Sequence, residues 1–396
     1  MRRDHLITPE GEEELLFSEC AQVRTVEKNI CKIFSRACYN EVRTPTLEFA
    51  DVFMTGAGSI PMENMFKLTD NKGRLLVVRP DSTLPIARMT ASKLRDAHMP
   101  LRIYYNQPSY RTGGGRGKGV RTMQAGIELI GTGGKAADLE VLSLAVNALD
   151  SCLDDFRIEI GHSGIFRTLV RKLDISDAKR EELRGYIESK NYAALSAELE
   201  LLEHSDEAAA IGMLPRLFGG VQVLDKVREL VSDKELDEQL SYLAEMYDAL
   251  SKLGLEDKLM IDLGLVNQND YYTGIVFTAY TYGSGENILT GGRYDSLIGQ
   301  FGFDQPACGF AINIDALVKA INPNMTACTA VPDALVLAGE GREIEALKHL
   351  AKLGDEGLVA QFAALSDRQD WLQYAKDCGI RRVDTVLDSV ETVIVE

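Results

Sequence analysis

Strand-like segments recur between helical ones through the first 320 residues, and this alternation constrains the fold more than any other sequence feature. Predicted strands cover 75–78, 101–105, 126–131, 156–160, 259–263, 274–282 and 309–314. Predicted helices cover 12–38, 85–94 and 136–153. Glycine-containing, hairpin-like turns favour an antiparallel sheet packed against helices, an α+β core. No strand is followed by G-x-G-x-x-G and no Walker-type loop occurs, so the usual nucleotide-binding α/β folds have little support.

Two segments depart from this alternation. Residues 164 to about 250 lack strand signals and are rich in Glu, Leu, Ala and Lys, which predicts a helical insertion. Pro323 and Pro332 bracket a linker, after which the pattern β-α-β-α-β indicates a small α/β domain. We therefore expect a core over residues 1–322 that contains the insertion, and a C-terminal domain over residues 331–396.

Composition narrows the class of protein. The formal charge of −17 argues against nucleic acid as the main partner, because binding a polyanion requires a basic surface. The 7 cysteines lack C-x-x-C spacing and the 5 histidines lack metal-like spacing, which argues against disulfides and bound metals. No signal-like start or membrane-length apolar run occurs. We expect a cytoplasmic protein without a cofactor, a metal or a membrane partner.

One window of the chain is basic. Between Ala97 and Ile127 there is no acidic residue, but the window contains Arg102, Arg111, Arg116, Lys118 and Arg121. Five glycines at 113–119 let a backbone approach a ligand closely. The window is either an anion-binding loop between two strands or a mobile hairpin tip with solvated charges, and composition favours neither.

Other polar residues lie at predicted strand ends. Asp81 and Glu128, with Thr83 and Gln124, could receive a ligand ammonium group; alternatively, Asp81 caps the helix that follows it.

A tyrosine pair and a glycine-containing turn complete the candidate site. Tyr271 and Tyr272 should point to opposite sides of a strand, so that one lines a pocket, or both are ordinary sheet aromatics. Residues 290–295 are predicted to form a tight glycine turn.

In this order, the segments resemble the catalytic core of histidyl-tRNA synthetase. The resemblance spans roughly residues 5–320 and rests on 79–83, 104–111, 124–128, 265–277 and 290–295. It implies the class II synthetase fold, a six-stranded antiparallel sheet flanked by helices, usually in a homodimer.

The resemblance also implies a binding site. The positions that hold histidine in that family correspond here to Asp81, Thr83, Gln124, Glu128 and Tyr272. Arg111 matches the arginine of the second class II motif, which contacts the ATP phosphate and the amino-acid carboxylate. With Tyr271, these residues form the predicted histidine site, and no catalytic residue is predicted.

Three departures from the synthetase pattern concern ATP. Asn267 stands where the family has an arginine that assists carboxylate attack on the α-phosphate, and Gly113 stands in place of a glutamate. The third class II motif, which ends in Glu-Arg in the family, ends here in Asp315-Ala316. Losing one preorganised charge typically costs about 10²–10³ in rate, so we expect no useful adenylation.

The departures have a counterpart in a non-synthetase family. The segments Asn267–Phe277 and Asn313–Leu317 resemble the regulatory subunits of ATP phosphoribosyltransferase. That resemblance implies a homodimer within a hetero-oligomer, binding of a short-form catalytic subunit, and feedback inhibition by histidine as effector. The C-terminal 66 residues hold 13 acidic and 7 basic side chains, a poor surface for RNA. The alternatives are a divergent active histidyl-tRNA synthetase and a stand-alone histidine-binding or adenylate-forming enzyme.

Overall fold

The computed structural model describes residues 6–54, 56, 58–112, 120–202, 205–266, 271–321, 331–364 and 371–395. The chain divides into two compact units. The first comprises Met1–Leu15 and Val23–Met325, and the second comprises Leu16–Gln22 and Thr326–Glu396.

Strands and helices alternate up to residue 321. The strands are β1 (Asn40–Glu41), β2 (Leu47–Phe49), β3 (Lys67–Thr69), β4 (Leu75–Val78), β5 (Leu101–Tyr110), β6 (Arg121–Ile130), β7 (Arg157–His162), β8 (Phe218–Gly219), β9 (Leu259–Asp262), β10 (Ile275–Tyr280), β11 (Leu289–Arg293) and β12 (Ala307–Asn313). The helices are α1 (Phe17–Arg36), α2 (Asp51–Met54), α3 (Thr83–Lys93), α4 (Lys135–Asp150), α5 (Ser163–Arg171), α6 (Asp177–Glu188), α7 (Tyr192–Glu200), α8 (Asp206–Met213), α9 (Gln222–Leu230), α10 (Lys234–Lys252) and α11 (Ile314–Ala320).

Nine strands form the main sheet, in the order β1-β5-β6-β12-β11-β10-β7-β9-β8. The six strands from β5 to β7 in that order pair antiparallel with one another. This confirms the predicted antiparallel α+β core. The outer pairs β1–β5 and β7–β9 are parallel, which the sequence did not indicate.

Helix α4 is apolar on most of its surface because it packs against β6 and β12 on one side and α10 on the other. Val141, Leu142, Ala145 and Leu149 are fully buried in this core. Buried apolar area of this kind supplies the main stabilisation of such a layer.

The prediction of a glycine turn at residues 290–295 is wrong for residues 290–293. Residues 289–293 form β11, which pairs with β10 on one side and β12 on the other. Gly291 and Gly292 are needed there because the rings of Phe277 and Tyr272 lie where side chains would project. Glycine therefore marks close packing inside a sheet at this point.

A separate three-stranded sheet has the order β2-β4-β3. The prediction that residues 75–78 form a strand is confirmed, but only Val77 is buried. Directly paired residues of neighbouring strands project to the same side of a sheet. The pairing therefore places a second set of apolar residues on the face opposite Val77: Leu47, Phe49, Leu68 and Leu76, with Val78 at the edge. This outer apolar face contains Leu47, Phe49 and Leu68 as exposed residues.

The helical insertion is confirmed and consists mainly of α5 to α10. Ser176, Asn191, Ser205 and Asp233 each accept a hydrogen bond from a backbone amide in the first turn of the following helix. These side chains satisfy amides that have no partner within the helix. The insertion also contributes β8, which pairs with β9, so it is not purely helical as predicted.

The second unit contains the predicted small α/β domain. Its elements are β13 (Ala334–Ala338), α12 (Glu343–Asp355), β14 (Ala360–Phe362), α13 (Trp371–Asp377), β15 (Arg382–Val386) and β16 (Val390–Ile394). The sheet order is β14-β13-β15-β16, and the antiparallel edge strand β16 was not predicted. Among the described residues, no helix is long and apolar enough to cross a membrane.

Candidate functional site

A cavity of about 380 Å³ opens over the middle of the main sheet. All seven side chains predicted for the histidine site line it. They are Asp81, Thr83, Arg111, Gln124, Glu128, Tyr271 and Tyr272. They come from β6, the ends of β5 and α3, and the segment before β10. The fold therefore brings together residues separated by up to 191 positions in the chain.

Glu128 forms the buried end of the cavity and is only 2% exposed. Its Oε1 accepts a hydrogen bond of 2.9 Å from the Thr83 hydroxyl, and its Oε2 accepts one from Tyr294. Gly309 lies opposite Glu128 in the β6–β12 pairing, and a side chain there would collide with the carboxylate. Burial raises the pKa of Glu128 to about 8, although the two hydrogen bonds act in the other direction.

Asp81 has two roles in the structure. Its Oδ1 accepts a hydrogen bond of 2.9 Å from the Leu84 amide and so caps α3. A helix cap was one of the two roles that the sequence suggested for Asp81. Its Oδ2 lies 3.9 Å from a terminal nitrogen of Arg111. The Arg111 side chain is held by a hydrogen bond of 2.9 Å from its Nε to the Pro80 carbonyl. The same carboxylate thus caps a helix and lines the cavity.

Tyr271 and Tyr272 both line the cavity, which contradicts the prediction that they point to opposite sides of a strand. Strand β10 begins only at Ile275, so the alternation of strand side chains does not apply to them. Their ring centroids are 4.7 Å apart, and the Tyr271 and Tyr294 rings meet edge to face. The three rings form one aromatic wall, and both predicted tyrosines are buried.

Next to the lining residues Thr122 and Asn313, the start of α11 packs against β6. Asp315 accepts a hydrogen bond of 2.6 Å from the Met123 amide and lies 3.9 Å from Arg121. Ala316 is buried at the start of α11. Asn267, Gly113 and the basic loop residues 113–119 lie outside the described residues, so the predictions about them stay predictions.

Several lining residues were missed from the sequence. They are Tyr105, Ser109, Thr122, Asn287, Tyr294 and Asn313. Tyr294 lies within residues 290–295, which were predicted to form a turn, and that error hid the role of its side chain. Tyr105 alternates with Tyr104 along β5, and this alternation in a strand could have indicated that one of the two faces the cavity.

Electrostatically, the cavity suits a small zwitterion. The acidic side chains Asp81 and Glu128 line it together with the guanidinium of Arg111, which lies 3.9 Å from the Asp81 carboxylate. An ammonium group fits the carboxylates, and a ligand carboxylate fits the arginine. Hydroxyl and amide groups of Thr83, Gln124 and Asn313 can orient the remaining polar atoms.

Replacing Glu128 by glutamine is expected to change how stability depends on pH. Because the folded-state pKa of about 8 exceeds the ordinary value of 4.5, the native chain binds more protons between these values. The stability that protonated Glu128 contributes is present below about pH 4.5 and is lost as pH rises toward 8. In urea unfolding, the free energy of unfolding of the wild type should fall by up to about 1.4 kcal/mol per pH unit over this range, relative to that of Glu128→Gln. The exposed Glu286→Gln serves as the control, and parallel curves for wild type and Glu128→Gln would contradict the expectation.

Comparison with known proteins gives consistent matches. The family model of histidyl-tRNA synthetase matches residues 11–317. An ATP phosphoribosyltransferase regulatory subunit of Clostridium kluyveri is 38% identical over 373 residues, covering 93% of this chain and 95% of that protein. One from Clostridium acetobutylicum is 36% identical over 396 residues, covering 98% and 97%.

Solved structures agree with the sequence matches. A Bacillus halodurans structure described as an ATP phosphoribosyltransferase regulatory subunit/histidyl-tRNA synthetase superposes with a TM-score of 0.84 at 30% identity, covering 96% of this chain and 97% of that one. Histidyl-tRNA synthetase from Nostoc sp. superposes with a TM-score of 0.78 at 22% identity, covering 98% and 96%, and supports the fold alone.

The sheet, its flanking helices and the cavity define a protein of the histidyl-tRNA synthetase-like, class II type. Within that class, the chain belongs to the family of ATP phosphoribosyltransferase regulatory subunits.

Proposed function

We propose that this chain is a non-catalytic regulatory subunit that binds histidine in the described cavity and transmits that binding to a short-form ATP phosphoribosyltransferase catalytic subunit. The observation that carries the proposal is the grouping of all seven predicted histidine contacts around one cavity. The names of the relatives support a catalytic ATP phosphoribosyltransferase subunit as the partner. The short form of that partner and the first step of histidine biosynthesis belong to the proposal.

The nucleotide side of the cavity supports a loss of catalysis. At the place of the synthetase Glu-Arg pair, Asp315 is engaged by the Met123 amide and Ala316 has no charge. The sequence places Asn267 and Gly113 at two further positions that contact ATP or its activated product in synthetases. Phosphoryl chemistry depends on charges that stabilise the transition state, so this set is unsuited to adenylation.

Histidine would lie with its ammonium group toward Asp81 and Glu128 and its carboxylate toward Arg111. The Glu128 carboxyl, whose pKa is about 8 in the empty cavity, would lose its proton when the ammonium group arrives. Regulation then requires that histidine bind two states of the assembly with different affinity, because a ligand shifts an equilibrium only through that difference.

An ATP–pyrophosphate exchange assay with histidine tests the proposal against an active synthetase. We expect calorimetry to detect histidine binding and the exchange assay to give no more than background. Exchange at a rate comparable with an authentic histidyl-tRNA synthetase run in parallel would refute the regulatory role. Failure to bind histidine would refute the assigned ligand while leaving the absence of catalysis intact.

We also propose a homodimer formed through the outer apolar face of the β2-β4-β3 sheet. This face is apolar but open to solvent. Its exposed members are Leu47 (47% exposed), Phe49 (39%) and Leu68 (43%), which lie beside Leu76. Exposed apolar surface of this kind is typical of a protein interface. The resemblance to class II synthetases implies a second copy as the occupant.

A charge placed in that face is expected to dissociate the dimer. Leu68→Asp buries an unpaired carboxylate in the proposed interface and should shift most of the protein to monomer at micromolar concentration. Sedimentation velocity measures the shift. Leu253→Asp, at a residue 60% exposed after α10, is the control. A dimer that persists unchanged in Leu68→Asp would contradict this interface.

A further inference from the structure

A second cavity, of about 310 Å³, lies within the first unit between α5, α6 and the turn that follows β9. Its lining shares no residue with the lining of the first cavity. Neither the sequence patterns nor the matches to known proteins assign a ligand to it. Its lining contains four arginines, which is unusual in a chain with a formal charge of −17.

Helical spacing brings these arginines to one place. Arg167 and Arg171 are four residues apart on α5, and Arg180 and Arg184 are four residues apart on α6. Residues with this spacing share one face of a helix, so two pairs of guanidinium groups border the same space.

The carboxylates in the lining are fewer than the arginines. Asp177 and Glu181 are the two acids that line the cavity, and they pair with Arg180 and Arg184. Asp177 is 96% exposed, and such solvent-exposed pairs contribute little stability, so a ligand can replace it at Arg180. Burial and the nearby Arg167 lower the pKa of His162 to about 4, so this ring is neutral near pH 7.

Two polar atoms in this lining are buried without a partner. Ser163 Oγ and Arg180 Nε have no hydrogen-bonding partner among the residues that the structure describes. Of the five such side-chain atoms, only these two line a cavity discussed here. An unsatisfied buried polar group costs about 1–3 kcal/mol, so such groups call for an explanation. Both can donate a hydrogen bond, which indicates a ligand rich in acceptor oxygens.

The position of Ser163 strengthens this interpretation. It is the first residue of α5, a nine-residue helix whose N-terminal end carries a partial positive charge. The Ser163 and Gly164 amides already donate to the Gly274 carbonyl and to His162 Nδ1, so the Ser163 hydroxyl is the group available to an anion. A phosphate group combines negative charge with three acceptor oxygens, and arginine holds it with paired hydrogen bonds. Phe166, Val170 and Leu265 supply an apolar wall for the rest of the molecule.

We propose that this cavity binds a small organic phosphate, a compound with one phosphate group attached to an apolar or aromatic moiety. The phosphate contacts Ser163 and Arg180, and the organic moiety lies against Phe166 and Val170. The volume is at the lower end of the roughly 300–1,000 Å³ of small-molecule sites. This binding does not depend on the function proposed for the first cavity.

A hydrogen bond links the lining of the second cavity to that of the first. Arg167 Nη1 donates to the Tyr272 carbonyl oxygen at 2.6 Å, and Tyr272 lines the first cavity. Occupation of the second cavity should therefore alter the affinity for histidine, and the reverse effect must be equal. This coupling, unlike the binding itself, rests on the proposed histidine site.

Calorimetric titration of the full chain with phenyl phosphate tests the site. We expect saturable binding of one phenyl phosphate per chain, tighter than that of inorganic phosphate. Arg180→Gln should weaken it at least about tenfold and Ser163→Ala by a smaller factor. Arg228→Gln is the matched control and should bind normally, because Arg228 also pairs with carboxylates and is 32% exposed against 31% for Arg180.

Other outcomes would overturn the proposal. No saturable binding, or equal affinity in wild type and Arg180→Gln, would do so. Binding that is lost in Arg111→Gln, and for which histidine competes, would place phenyl phosphate in the first cavity instead. If phenyl phosphate binding depends on Arg180 but its affinity is unchanged by saturating histidine, the second cavity is supported as a phosphate site and the coupling between the two cavities is refuted. Ser163→Ala should fold with unchanged or higher thermal stability, because it removes an unsatisfied hydroxyl.

Discussion

Replacing Asp81 by alanine is expected to weaken histidine binding by about 10² or more and to abolish inhibition of the assembled phosphoribosyltransferase by histidine. Loss of one partner of a desolvated charge pair typically costs about 2–5 kcal/mol, and Asp81 is only 19% exposed. Calorimetry of the isolated chain and histidine inhibition curves of the complex measure the two effects.

Asp81→Asn separates the charge from the helix cap. Alanine also removes the acceptor for the Leu84 amide, which costs about 1 kcal/mol of stability. Asparagine caps a helix about as well as aspartate but carries no charge. We therefore expect Asp81→Asn to lose histidine binding at near wild-type stability, with the exposed Asp96→Asn as control. Unchanged feedback in Asp81→Asn would mean that histidine is sensed elsewhere in the complex.

The second large effect concerns a buried ion pair behind the cavity. Asp138 is completely buried and Arg293 is 8% exposed, with a distance of 2.6 Å between their charged atoms. Tyr242 also donates a hydrogen bond to Asp138. Asp138→Ala leaves the guanidinium without its main buried partner and should reduce the free energy of unfolding by about 3–5 kcal/mol.

Urea unfolding measures this loss. Asp248→Ala, which breaks an exposed pair with Lys252, should cost under about 1 kcal/mol and serves as control. The pair also supports the site, because the Arg293 carbonyl accepts a hydrogen bond of 2.7 Å from the Thr273 amide, next to Tyr272. Weaker histidine binding should therefore accompany the loss of stability. If Asp138→Ala lowers the free energy of unfolding by less than about 1 kcal/mol, the Arg293 guanidinium does not depend on Asp138 as its buried partner.

Local patterns predicted the elements whose causes are local. The apolar spacing that predicted α4 depends on neighbours within a few residues. The errors occurred where distant residues decide the conformation. The glycines of β11 lie in a sheet because two flanking strands and the rings of Phe277 and Tyr272 surround them. Strand β16 is exposed throughout, so it lacks the alternation that marks a half-buried strand.

For the candidate site too, sequence motifs indicated residues, whereas the fold decided their contacts. The resemblance to histidyl-tRNA synthetase indicated six of the seven predicted lining residues by motif, and Tyr271 came from the pattern of the strand itself. No local pattern in this chain required Asp81 and Tyr272 to line the same cavity. The buried contact between Tyr294 and Glu128 joins residues 166 positions apart. The four arginines of the second cavity lie on two separate helices, and their spacing in the sequence does not indicate that the two helices border one space.

By itself, the sequence determined the α+β class, the helical character of the insertion and the family, and it supplied the residues of the proposed histidine site. Those follow from periodicity and motif, which are properties of neighbouring residues. Only the tertiary structure decided that both tyrosines face one cavity and that burial raises the pKa of Glu128 to about 8. It also decided that Ser163 lines a cavity with four arginines, where two donors have no hydrogen-bonding partner among the described residues. Burial and desolvation arise from contacts between distant segments, and no stretch of sequence contains them alone.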